Sequence, residues 1–223
     1  MPEKKRKRYP RKEQPHDAVF KVFFGDAKIA KSYLLNYIPD ELHKKIDLAV
    51  FEKSDTAYVN GRFGLSFSDM VYNTKLIGGG FARILFLFEH KSYLPTQPVF
   101  LQLLDYFLQI WEDDIKNGRP LSFIIPIIVY HGKRRWEKKP FSEYFPGLPE
   151  VFQRFIPNFD FVLTDINRIP PQVIKDKVET EYLRNLFLTL KFCRDENLIK
   201  ENWKEIVTFG SPFHKDDREK ILL

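Results

Sequence analysis

With 223 residues, 43% of them hydrophobic and 22 of them Phe, the chain suits one domain with a packed core. It holds no apolar run of about 18 residues, and its first residues are charged without an apolar stretch, so neither a membrane span nor a secretory leader is expected. The formal charge of +6 falls wholly within residues 1–12, where seven Lys and Arg face Glu3; the rest of the chain is neutral, and basicity does not by itself argue for nucleic acid.

A lone cysteine, Cys193, excludes an internal disulfide framework and a multi-cysteine zinc site, so a reducing cytosol is the expected compartment. Inside an apolar helical stretch it reads as packing. Residues 1–14 form a basic tail, expected to be disordered because like charges repel and nothing there can be buried. Such a tail can grip phosphates, address the protein, or simply keep it in solution. Residues 15–223 are expected to be one domain with a helical C-terminal part.

From His16 to Ile38 apolar residues recur at helical spacing, with Gly25-Asp26 as a point of interruption. Asp17 lies where an acid suits a helix N-terminus, either as a cap or in support of a site. His16 beside it makes no metal site without further histidines. Residues 47–52 read as a short strand, and strands are expected at about 66–76 and 82–91 around Gly78-Gly79-Gly80. The second of these, with Ile84-Leu85-Phe86-Leu87-Phe88, is apolar on both faces and so belongs in the middle of a sheet.

Val99 to Trp111 predicts an apolar helix that runs on to Asn117-Gly118. Gln102 and Tyr106 share one of its faces, as core and surface residues or as substrate contacts. Phe123 to Tyr130 predicts another buried strand, in which Pro126 suggests a bulge or an edge position. The stretch from His131 to Pro157 is loop-rich. Its basic cluster, Lys133 to Lys139, is either a phosphate contact or a solvated loop. Phe159 to Asp165 predicts a last strand, and helices follow from Val173. The order is α-β-β-β-α-β, then β and helices, which implies a mixed α/β sheet flanked by helices.

The informative feature is the hairpin. A turn centred on Gly79 pairs Asp69 with Glu89 on one sheet face, where like charges destabilise unless a cation lies between them. Alternation puts Lys91 on the side of Glu89 and sends His90 the other way. A register slip of one residue would move Asp69 to the opposite face. Two carboxylates among waters and phosphate suit Mg²⁺, a hard ion. The bland alternative is a surface ion pair of Lys91 with one of the acids. Walker A, HExxH, GxSxG and dinucleotide motifs are absent.

Taken with His16-Asp17-x-x-Phe20-Lys21, Ser68-Asp69-Met70-Val71-Tyr72, Glu89-His90-Lys91-Ser92 and Ile125-Pro126-Ile127-Ile128-Val129-Tyr130-His131-Gly132, the chain resembles the PD-(D/E)XK nuclease superfamily. Within it the chain is similar to the Rpn group of recombination-promoting nucleases, also described as transposases. The resemblance implies a restriction-endonuclease-like αβββαβ core with an Asp on the second strand and E-x-K on the third. The Gln102-x-x-x-Tyr106 pair is similar to a motif on the helix after the active-site strand of RecB-like nucleases.

What the resemblance implies is a metal-dependent DNA endonuclease of the prokaryotic cytosol or nucleoid that serves recombination or transposition. Its catalytic residues would be Asp69, Glu89 and Lys91. Asp69, Glu89 and the backbone carbonyl of His90 would hold Mg²⁺, with Mn²⁺ as a substitute, while Asp17, Gln102 and Tyr106 would stand behind the site or touch substrate. Cutting both strands of DNA would favour a homodimer. Two other readings remain open: a non-cleaving nuclease-fold module that binds DNA or protein, and a three-acid transposase site completed by Asp165.

Overall fold

The computed structural model describes residues 15–55, 70–89, 98–132, 134–177, 181–192, 197 and 200–201, with the backbone alone at 15–19, 87–89, 177 and 181. The chain opens with helices α1 (Pro15–Phe24), α2 (Ala27–Tyr37) and the short α3 (Asp40–His43). The break falls at Gly25-Asp26 as expected, because Asp26 turns its side chain to the Lys28 N–H at 2.8 Å and so caps a new helix. Expected as a strand, 47–52 is instead a 3₁₀ turn at Leu48–Val50 with only β1 (Glu52–Lys53) extended. Asp47 is the cause, since its carboxylate accepts the Ala49 N–H at 3.0 Å and bends the chain into the turn.

Strands β2 (Met70–Lys75) and β3 (Phe81–Glu89) form the hairpin; α4 (Val99–Lys116) crosses over to β4 (Phe123–Tyr130), and β5 (Val162–Asp165), α5 (Pro171–Lys177) and α6 (Glu181–Phe192) follow. The five strands lie side by side in chain order. Pairing is antiparallel from β1 to β3 and parallel from β3 to β5, the mixed sheet that the element order implies. As its apolar run requires, β3 is central. Pro126 lies one residue before the β5 ladder begins at Ile127↔Val162, where β4 has a neighbour on one side only.

Each face of the sheet buries its own core. Phe86, Tyr72 and Ile127 pack under α1, α2 and α6, with Phe24 and Tyr33 placed 5.2 and 5.3 Å from the Phe86 ring. Val71, Leu85 and Ile128 pack on the other face under α4. The Tyr33 hydroxyl and Thr164 Oγ1 are 2.5 Å apart in the interior, so α2 is tied to β5 across most of the chain. The register differs from the expected one. Met70 pairs with Phe86 and Lys75 with Phe81, which centres the hairpin on Gly78 and not on Gly79. Leu76 explains the difference: it bridges to Ile46 and its N–H bonds the Gly80 carbonyl at 3.1 Å, so the loop takes in Ile77 as well as the glycines. All three glycines have positive φ, from 90° to 118°. The shift is two residues, so the faces are unchanged.

Candidate active site at the carboxyl ends of the parallel strands

Glu89, the last residue of β3, pairs with Tyr130 on β4, and Tyr130 pairs with Asp165 on β5. This row crosses the carboxyl ends of three parallel strands, the place where open α/β sheets bind ligands. Because β2 is antiparallel, it enters the sheet at the same end, and Asp69 is the residue before Met70. The start of β2 and the ends of β3, β4 and β5 therefore share one edge of the sheet. Asp69, His90 and Lys91 lie outside the described residues, as does the side chain of Glu89. Among the described residues no group of three or more His, Cys, Asp or Glu comes together to hold a metal.

Tyr130 forms the floor of this edge. Its hydroxyl donates to the Arg134 carbonyl at 2.8 Å, and its ring meets Trp136 edge-on at 5.1 Å. Gly132 allows the fold-back, since a Cβ there would fall on the Tyr130 ring. The motif Tyr130-His131-Gly132 thus has a steric cause that periodicity alone does not reveal.

Asp165 is committed to its own neighbourhood. Its carboxylate accepts the Asn167 N–H at 3.2 Å, caps the 3₁₀ turn Ile166–Arg168, and lies 3.6 Å from Arg168 Nε. Burial pushes its carboxyl above the ordinary value, and the Asn167 and Trp136 N–H groups with Arg168 and Lys191 only partly offset this. Lys191 of α6 donates to the Asn167 carbonyl at 2.9 Å, and Asn167 Nδ2 donates to the Gly132 carbonyl at 2.7 Å. The last turn of β5 is thereby bolted to both α6 and the Tyr130 floor. Both carboxylate oxygens of Asp165 thus have partners within its own neighbourhood. Sequence reasoning had no signal for Asn167 or Lys191, because both act through contacts between distant segments.

Of the remaining candidates, Gln102 lies half-buried in the first turns of α4, whereas Tyr106 is 2% exposed and part of the core beneath that helix. Asp17 is the third residue of α1, and His16 precedes it; only their backbone is described. Cys193 lies outside the described residues.

The family profile described as "Putative transposase, YhgA-like" matches residues 14–220. The chain belongs to this family. Recombination-promoting nuclease RpnD of Escherichia coli O157:H7 is 27% identical over 191 residues, which cover 83% of this chain and 70% of that protein. RpnA of E. coli K12, of the same description, is 25% identical over 53% of this chain and 40% of its own length. A third relative from E. coli K12, inactive recombination-promoting nuclease-like protein RpnE, is 27% identical over 83% of this chain and 60% of its own. The YhgA-like chain thus spans 40 to 70% of the length of these relatives, and overall identity does not separate nucleases from the inactive relative. No solved structure gives a significant match. The resemblance to the Rpn group is borne out, and the fold is consistent with the PD-(D/E)XK superfamily. Among the described residues no helix is long and apolar enough to cross a membrane.

Proposed function

We infer that this YhgA-like protein is a Mg²⁺-dependent DNA endonuclease acting in recombination or transposition. The observation that carries the reading is that Glu89 closes β3 in the row of Tyr130, at the end of the sheet where β2 begins with Met70, the residue after Asp69 in sequence. Ladder parity supports it too. Odd-numbered Val71 and Leu85 pack under α4, and an Asp69 that continued the β2 alternation would share that face with Glu89.

Hard oxygen donors suit Mg²⁺, and Mn²⁺ is the natural substitute. Asp69, Glu89 and the His90 carbonyl would hold it. A metal so bound supplies a water of lowered pKa and charge stabilisation at the phosphate. Lys91 would orient the attacking water and donate from Nζ toward the negative charge developing at the phosphate. Asp69 and Glu89, acceptors only, keep the edge negative when no cation is present.

Purified protein is incubated with supercoiled plasmid in Mg²⁺, Mn²⁺, Ca²⁺ or EDTA, beside Asp69→Ala, Glu89→Ala and Lys91→Ala. Nicking in Mg²⁺ that EDTA and each substitution abolish is the expected result. Cleavage that survives Asp69→Ala and Lys91→Ala overturns the assignment. Salt-sensitive DNA binding with no cleavage in any metal would instead fit a non-cleaving binding module.

A further inference from the structure

Between β4 and β5 the segment from Arg134 to Phe161 lies on the α4 face. Its underside is anchored: Phe141 stacks on Phe100 at 4.8 Å, and Phe159 lies 4.9 Å from Phe107. Its outer side is not apolar-free. The 3₁₀ helix Glu150–Phe155 buries none of its six residues, yet it carries Val151, Phe152 and Phe155 at 60, 49 and 72% exposure.

In a 3₁₀ helix side chains at i and i+3 eclipse, so Phe152 and Phe155 form one ridge and Val151 and Arg154 the next. The Arg154 guanidinium lies 5.1 Å from the centre of the Phe155 ring. Neither Arg154 nor Arg134 has a carboxylate partner among the described residues, whereas Arg135, Lys138 and Lys139 each have one. From 134 to 161 there are five cations against Glu137, Glu143, Glu150 and Asp160, the last of which is taken up by Lys138.

Rings interleaved with free guanidinium groups are the means by which proteins hold unpaired bases: the rings stack on any base and the cations meet the phosphates. The segment leaves β4 four residues after Tyr130, which sits in the Glu89 row. We propose that the ridge of Phe152, Arg154 and Phe155 binds single-stranded DNA. What the surface serves rests on the nuclease reading, while the binding itself does not. Paired bases hide their faces, so duplex DNA gains little from such a ridge.

The full chain is titrated in EDTA against fluorescein-labelled oligothymidine and against a duplex of equal length, with anisotropy as the readout. Phe152→Ala/Phe155→Ala should weaken oligothymidine binding roughly 10- to 100-fold and change duplex binding less than about twofold. Arg154→Ala should weaken binding and make its logarithmic salt slope shallower by about 0.7. Unchanged oligothymidine affinity in the double variant overturns the proposal. So does a parent dimer, seen by sedimentation velocity, that the same substitutions dissociate, because the ridge is then a self-interface. Plasmid cleavage is scored separately. Phe-dependent binding without cleavage sinks the nuclease reading alone, and cleavage with Phe-independent binding sinks the ridge alone.

Discussion

Arg83 of β3 and Asp114 near the end of α4 are 2.7 Å apart, and both are buried, at 5% and 0% exposure. Asp114 also accepts the Ser122 N–H at 2.8 Å and faces Arg119 Nε at 3.2 Å, so one carboxylate joins β3, α4 and the lead-in to β4. This fixes the crossover at the end of the sheet opposite the candidate site. Removing either partner strips the other buried charge of its shortest ion pair and leaves Arg83 with Asp113 at 3.2 Å, or Asp114 with Arg119 and the Ser122 N–H. Arg83→Ala or Asp114→Ala should each cost about 3–5 kcal/mol in urea denaturation, and the paired Arg83→Met/Asp114→Leu much less than the sum.

The same carboxylate sets an acid limit. Burial raises Asp114, but the Ser122 hydroxyl and N–H, Arg83 and Arg119 more than compensate and hold it below its ordinary value. A depressed folded value means stability that is fully present above about pH 3.9 and lost as pH falls through the folded value. Acid-unfolding curves of the parent should therefore steepen below about pH 4, a slope that Asp114→Asn should lack.

Asp165 behaves in the opposite sense. With its folded value raised, chiefly by burial, the folded state holds the proton more tightly. Its contribution is present below about pH 3.9 and is lost as pH rises through the folded value, so the carboxylate is a burden at neutrality. Asp165→Asn keeps an acceptor for the Asn167 N–H. It should melt higher than the parent near pH 7, with the gap closing toward about pH 4, and should still cleave plasmid. Loss of cleavage with the fold intact would revive the three-acid reading.

Gln102 and Tyr106 share a helix face but not a fate. Tyr106→Ala opens the α4 core and should cost about 3–5 kcal/mol. Gln102→Ala should change stability by less than about 0.5 kcal/mol. If Gln102 touches substrate, the same variant should slow cleavage roughly tenfold in steady-state assays.

The hairpin tests backbone chemistry. Gly79 has a φ of 118° with open space around it, so a methyl group meets no clash but must adopt a conformation that L-residues avoid. Gly79→Ala should lower stability by about 1–3 kcal/mol by thermal melting, while Gly79→Asn should lose less.

Much of this was legible in the chain. Periodicity and apolar runs suffice for α1, α2, β2, β3, α4, β4 and β5, though not for the turn at 48–50, because a strand buried on both faces and a helix buried on one leave marks that need no partner to be read. The break at Gly25-Asp26 and the central place of β3 are of this kind. So is the family, since its motifs are local strings around Asp69, Glu89 and Tyr130. Tertiary structure decided what depends on contact between distant segments. Leu76 bridging Ile46 set the hairpin register at Gly78, Tyr130 folding onto Gly132 gave that glycine its purpose, and Asn167 with Lys191 bound the end of β5. The hairpin centre expected at Gly79 lies at Gly78, which moves every pairing by two residues, because side-chain alternation is a property of each strand alone and register belongs to the pair.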